Sequence, residues 1–267
     1  MITRFAPSPT GPLHLGHAYS AMMAYDMAMV QNGSFLLRIE DIDYTRARLN
    51  WESKIFDDLR WLGLKWPQPV MRQSDRKSLY YTAINSLWKQ KLVYPCSCNR
   101  KDILTAASAP QEGSPLIGPD GVVYSGTCKG QTMCSGPIPT DTALRLDMSK
   151  ACKLAGISAR LVDTAGDIVI SRINMGTSYH LSVVVDDAAQ RITDVVRGTD
   201  LKDATQIHIV LQKLLGFTTP RYYHHKLIRD QNGKRLAKRD DARALSKYRS
   251  EGATPNDIRQ LLGLREV

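Results

Sequence analysis

The sequence predicts an α/β fold built on a parallel sheet, and three observations lead to it. The chain opens on a strand, loop, helix, strand pattern; a cysteine-bearing stretch of low periodicity interrupts it; apolar runs and helical patterns then resume. Ile2 to Ala6 reads as a short buried strand that runs into Pro7-Ser8-Pro9-Thr10-Gly11-Pro12, too rich in Pro and Gly for regular structure. Ala18, Met22, Tyr25 and Met29 then recur at helical spacing up to Asn32-Gly33. Ser34 to Ile39 is the second strand, and its continuous Phe35-Leu36-Leu37 suits a sheet covered on both faces. A right-handed βαβ crossover places the first loop at the carboxyl edge of the sheet, where open α/β folds bind ligands.

Helical patterns follow from about Tyr44 to Leu62 and from Ser74 to Gln90, with Ser74 as N-cap. Between Cys96 and about Gly136 the texture turns to Gly, Pro, Ser and Cys, as in an insertion held by something other than a large core. Apolar runs return at Ile168-Val169-Ile170 and Leu181 to Val185, and Thr254-Pro255-Asn256-Asp257 forms a capping box that opens a last helix.

With 267 residues, 43% of them hydrophobic, the chain can fill one large core or two small ones. Lys and Arg number 36 against 26 Asp and Glu, a net charge of +10 that favours a polyanionic partner. Neither an apolar signal core nor a run of about 18 apolar residues occurs, so a soluble, cytoplasmic protein without a membrane partner is expected. The five cysteines, Cys96, Cys98, Cys128, Cys134 and Cys152, are odd in number and clustered, which fits metal binding in a reducing compartment better than disulfides.

Two stretches carry the chemistry. In His14-Leu15-Gly16-His17 a loop enters a helix, whose first amides attract phosphate; Gly16 permits close backbone approach, and two imidazoles can follow charge developing on a phosphoryl group. Late in the chain Gly233-Lys234-Arg235-Leu236-Ala237-Lys238-Arg239 follows a turn, and Lys238 there can neutralise the β and γ phosphates. Singly, each is also what a solvated helix start or a basic turn looks like. The pair resembles the two signatures of class I aminoacyl-tRNA synthetases, "HIGH" at His14 to His17 and "KMSKS" at Arg235 to Arg239, the second departing at Ala237 where serine is usual.

The resemblance becomes specific in Arg4 to Gly11, Leu37 to Asp43, Val183 to Asp187 and Val196 to Asp200, which match the glutamyl-tRNA synthetase catalytic domain in order. Glutamate has two carboxylates and one ammonium, so its pocket needs about two cations and an anion. The resemblance implies Arg4, Ala6, Ser8, Glu40, Tyr179 and Arg197 as glutamate-binding residues, with Glu40 on the ammonium and Arg4, Tyr179 and Arg197 on the carboxylates. Which arginine takes which carboxylate stays open. Pro7, His14, Gly16, His17 and Lys238 would bind ATP, with His14, His17 and Lys238 catalytic. Cys96-x-Cys98 with Tyr124-x-x-x-Cys128 is similar to the family's zinc site, one structural Zn²⁺ with Tyr124 as fourth ligand and Cys134 its rival.

The implied architecture is a doubly wound, Rossmann-type parallel sheet split by a zinc-bearing insertion and followed by a short helical C-terminal segment. Its first half covers 1–92, the acceptor-binding-like insertion 93–175, the second half with the late signature loop 176–240, and the terminal segment 241–267, where an anticodon-binding domain is not expected. The implied partners are L-glutamate, ATP with Mg²⁺, and tRNA. Shortened members of the family transfer glutamate to queuosine at the wobble position of aspartate tRNA, which is the expected reaction here. A compact synthetase charging the 3′ end of tRNA and a non-catalytic zinc-bearing RNA-binding paralogue are the alternatives.

Overall fold

The computed structural model describes residues 1–107, 116–130, 136–228 and 243–265. Along the chain run β1 (Ile2–Phe5), α1 (Leu15–Val30), β2 (Ser34–Ile39), α2 (Leu49–Trp61), β3 (Met71–Arg72), α3 (Lys77–Lys89) and β4 (Val93–Cys96). Next come α4 (Arg100–Ala107), β5 (Ile117–Gly118), β6 (Gly121–Val122), β7 (Ala143–Leu146), α5 (Met148–Ala155), α6 (Arg160–Ala165) and β8 (Val169–Ser171). Then follow α7 (Tyr179–Ala189), β9 (Asp194–Gly198), α8 (Lys202–Leu215), β10 (Arg221–His225), α9 (Leu245–Ser250) and α10 (Pro255–Leu262). Two compact units result: Met1–Asp75 with Gln190–Lys202 and Pro220–Val267, and Arg76–Ala189 with Asp203–Thr219.

The first unit is the parallel sheet. β1 pairs with β2 and β2 with β3, all parallel, and β9 pairs in parallel with β10. The amide of Thr193 donates to the carbonyl of Ile2 at 3.0 Å, so β9 starts beside the start of β1. One face of β2 is buried because Phe35, Leu37 and Ile39, two residues apart along the strand, join the core cluster that contains the buried residues of α1. On α1 the buried residues include Ala18, Ala21, Ala24 and Ala28, small enough for the helix to lie close on the strands, with Met22 filling what remains. The predicted capping box on α10 is present: Thr254 accepts from the amide of Asp257, and Asp257 accepts from that of Thr254.

Two helix starts differ from the sequence expectation. α2 begins at Leu49, because Asp43 takes up Thr45 and Arg46 while the amide of Arg48 donates to the carbonyl of Pro9 at 3.0 Å. Ser74 lies in a 3₁₀ turn, Gln73–Arg76, ahead of α3, and its amide and hydroxyl both donate to Asp41. A side chain that donates to a carboxylate is not capping a helix.

On α2, Asp58 is only 5% exposed, and burial pushes its carboxyl up to about 6 against the opposing pull of Arg249. The folded state therefore favours the protonated form: stability is greatest below the ordinary carboxylate range and is lost as pH rises through it to about 6. Asp58→Asn should accordingly stabilise the protein above pH ~6.5 by on the order of 2 kcal/mol and do little near pH ~4. Urea unfolding at the two pH values checks this; an equal gain at both would leave the buried charge without a role.

In the second unit β4, β7 and β8 form an antiparallel sheet, and β5 with β6 a small hairpin. The apolar run Leu181 to Val185 is part of α7, a helix buried along His180 to Asp187, where period cannot show because every face is covered. Asp186, fully buried, accepts from Arg76 Nε at 2.6 Å and Tyr80 Oη at 2.8 Å, which ties α7 to the start of α3. Little apolar core supports the cysteine-bearing segment: α4 buries no residue, and one small cluster gathers Tyr94, Cys96, Tyr124 and Cys128.

Candidate active site and metal centre

At the carboxyl edge of the first unit's sheet, the loop after β1 enters α1 through its histidines. The amide of Gly16 donates to His14 Nδ1 at 3.1 Å and the amide of His14 donates to His17 Nδ1 at 3.2 Å, a capping box made of two imidazoles whose centroids lie 3.8 Å apart. An Nδ1 that accepts carries no proton, so each neutral ring keeps its proton on Nε2. The same hydrogen bonds that start the helix therefore orient two Nε2–H donors at its positive end. A Cβ at residue 16 would lie 3.0 Å from His14 Cε1; glycine there makes room for the imidazole.

The loop is held from the neighbouring strand. The amide of Glu40, one residue past β2, donates to the carbonyl of Pro7 at 3.0 Å, and the Arg48 bond to Pro9 fastens the same loop two residues on. Ala6 and Ser8 are partly exposed on either side of the buried Pro7. Arg4 on β1 and Arg197 on β9 are buried at 6% and 5% exposure, and the Glu40 side chain is 9% exposed. Adjacent strands β2, β1 and β9 thus bring the three charged residues predicted for glutamate toward one sheet edge. Arg197 Nη2 donates to the carbonyl of Leu201 at 3.2 Å, and its guanidinium lies 5.0 Å from the Tyr222 ring. At Gly198 any side chain would overlap the Asp200 carboxylate, which explains the glycine inside Val196 to Asp200.

Arg38, to which the motifs give no role, is what fixes Glu40. Fully buried on β2, it donates from Nη2 to Glu40 Oε1 at 3.2 Å and from Nη1 to Gln190 Oε1 at 2.9 Å. The sequence signal was a cation inside the apolar strand Phe35-Leu36-Leu37-Arg38-Ile39. Tyr179 belongs to the second unit, where it opens α7 with its ring 5.8 Å from that of His208. Lys238, with the rest of Gly233 to Arg239, and Cys134 lie outside the described residues.

The predicted metal ligands do converge. The sulfurs of Cys96, Cys98 and Cys128 all lie within 4.8 Å of one another, and Tyr124 Oη is 3.4 Å from Cys96 Sγ and 3.5 Å from Cys98 Sγ. A tetrahedral zinc with Zn–S of ~2.3 Å and Zn–O of ~2.0 Å requires S···O edges of ~3.5 Å, so three thiols and one phenol here fit the ion. Arg145 was also missed: Nε donates to Cys96 Sγ at 3.2 Å, Nη1 to the carbonyl of Asp167 at 2.7 Å, and the guanidinium stacks 3.8 Å from the Tyr124 ring. Like Arg38, it is a cation within an apolar strand, Ala143-Leu144-Arg145-Leu146. Burial opposes ionisation of Cys128, yet hydrogen bonds with Tyr124 and Cys98 bring its thiol down to about 6, while burial followed by hydrogen bonding to the cysteines raises the Tyr124 phenol.

The family described as tRNA synthetases class I (E and Q), catalytic domain, matches residues 1–267, and the chain belongs to it. Within that class, a Rhodobacter capsulatus protein named Glutamyl-Q tRNA(Asp) synthetase is 58% identical over 99% of this chain and 100% of its own length. A Deinococcus radiodurans protein of the same name is 40% identical over 96% of this chain and 85% of its own. A solved glutamate tRNA ligase from Elizabethkingia meningosepticum, in complex with its amino acid, superposes with a TM-score of 0.76 at 24% identity. That superposition covers 98% of this chain but 60% of the ligase, and it shows the α/β fold with its parallel sheet. Among the described residues no helix is long and apolar enough to cross a membrane.

Proposed function

We propose that the protein activates L-glutamate with ATP to glutamyl-adenylate and transfers the glutamyl group to queuosine at the wobble position of tRNA(Asp). The observation that carries this reading is 58% identity along 99% of this chain and 100% of the R. capsulatus Glutamyl-Q tRNA(Asp) synthetase. The site supports the same chemistry. Arg4 and Arg197 supply two buried cations for the carboxylates and Glu40 an anion for the ammonium, with Ala6 and Ser8 in the adjoining loop. Tyr179 and Lys238 join the assignment through the family resemblance.

In the first step a glutamate α-carboxylate oxygen forms a bond to the α-phosphorus of ATP, and the bond to pyrophosphate breaks. His14 and His17 donate from Nε2 to phosphoryl oxygens, beside the first amides of α1 and Gly16, with Pro7 shaping the loop; Mg²⁺ accompanies the ATP phosphates. No covalent bond to the protein is needed. In the second step a hydroxyl of the queuosine ring attacks the mixed anhydride, forming an ester and releasing AMP. A zinc ion on Cys96, Cys98, Cys128 and Tyr124 would be structural, because it would cross-link a segment with little core.

Labelled glutamate and ATP supplied with tRNA from cells able or unable to make queuosine should put ester-linked label on queuosine in tRNA(Asp) from the first source only. Label on the 3′-terminal adenosine of glutamate tRNA, independent of queuosine, would replace this reading by 3′-end charging.

A further inference from the structure

We propose that a cleft in the second unit, between α4, the β5–β6 turn and β8, holds one unstacked nucleotide of the RNA partner; the proposal rests on the reading above that the acceptor is RNA. The cleft has a volume of about 540 Å³, within the ~300–1,000 Å³ usual for small-ligand sites. Ile103, Val122, Ile168 and Val169 give it apolar walls against which a base can lie. Three arginines line it, Arg100, Arg145 and Arg172. Arg100 and Arg172 are exposed, and Arg172 is near enough to Asp120 to favour its ionised form. Arg145 spends Nε and Nη1 on Cys96 and Asp167, so Nη2 is the edge it can offer.

Two carboxylates line the same cleft, and they differ in what they have left to accept. Asp167 is occupied by Tyr94 Oη at 2.7 Å, the amide of Met148 at 2.8 Å and Lys129 Nζ at 3.1 Å. Asp120 stands only 3.8 Å from His180 Nε2, itself backed by His208 at 3.1 Å, and its side chain remains 35% exposed. A basic rim with apolar walls and one ionised acceptor fits a phosphate on Arg100 and Arg172, a base on the walls, and N–H groups of the base edge on Asp120.

Binding of queuosine-containing tRNA(Asp) to the full-length protein, titrated across salt concentrations, tests the assignment. With Arg100→Ala/Arg172→Ala, loss of one phosphate contact should lower the slope of log K against log salt by about one unit and weaken binding roughly tenfold near 0.1 M salt. Asp120→Asn removes a charge that repels RNA, so a purely electrostatic surface predicts tighter binding; the base contact predicts weaker binding. Matched thermal transitions confirm that the variants fold. Unchanged slope and affinity in the double variant, or tighter binding by Asp120→Asn, overturns the proposal. So does micromolar binding of a free nucleoside monophosphate with RNA affinity unaltered in the variants, which would assign the cleft to a small molecule. Failure of the unaltered protein to glutamylate tRNA would instead defeat the functional reading, whereas normal glutamylation with unaltered RNA affinity in the double variant defeats the cleft alone.

Discussion

Cys96→Ser should abolish binding of the proposed zinc and lower the thermal transition by roughly 10–20 °C, the counterpart of losing about 5 kcal/mol or more in a chain of this size. The reason lies in what surrounds the thiols. α4 buries nothing, the hairpin strands are two residues each, and the cluster around Tyr124 is small, so little apolar burial would remain to hold the segment. Arg145 would add to the loss, since its Nε would face a hydroxyl in place of a thiolate. Elemental analysis should find about one zinc in the unaltered protein and in Cys152→Ser, whose thiol is buried away from the cluster. Full zinc content and an unshifted transition in Cys96→Ser would discard the metal centre. Tyr124→Phe and Cys134→Ser decide the fourth ligand, because only one of them should lower metal content.

His17→Ala should slow adenylate formation by about 10²- to 10³-fold, the usual cost of removing one donor aimed at developing charge. The loss should fall on the rate and not on the KM for glutamate, since the proposed partner appears in the transition state. A second, smaller effect separates structure from chemistry. His17 Nδ1 accepts the amide of His14, so the variant also loses half of a helix cap, worth about 0.5–2 kcal/mol of stability. Single-turnover formation of adenylate at the normal rate, with only that stability loss, would leave the two imidazoles as caps and nothing more.

Much of this was legible in the residues. Strand β2 has the bounds that its residues predict, and so does the capping box at Thr254, because both are written in local pattern. His14 and His17 were legible as donors but not as each other's caps, since imidazole is not a cap that propensity would suggest. The late start of α2 was hidden for another reason: Arg48 gives its amide to Pro9, a partner 39 positions away that no window of helical period contains. Arg38 and Arg145 were hidden in plain view, each the charged residue in an apolar strand and each holding a group that the motifs did name.

The hydrogen bond from the amide of Ile2 to Thr193 Oγ1 joins positions 191 apart. Strand β1 is made first and acquires this neighbour only after the whole of β4 to α7 has been synthesised. During translation β1 and β2 must therefore wait as an incomplete sheet with one bare edge, while Arg76 to Ala189 emerges and begins to collapse on itself. Closing such a long loop is an entropic barrier that slows folding. Arg4 and Glu40 meet Arg197 only at that closure, so the glutamate pocket proposed above cannot form in a nascent chain until its sheet has found the strand that carries Arg197.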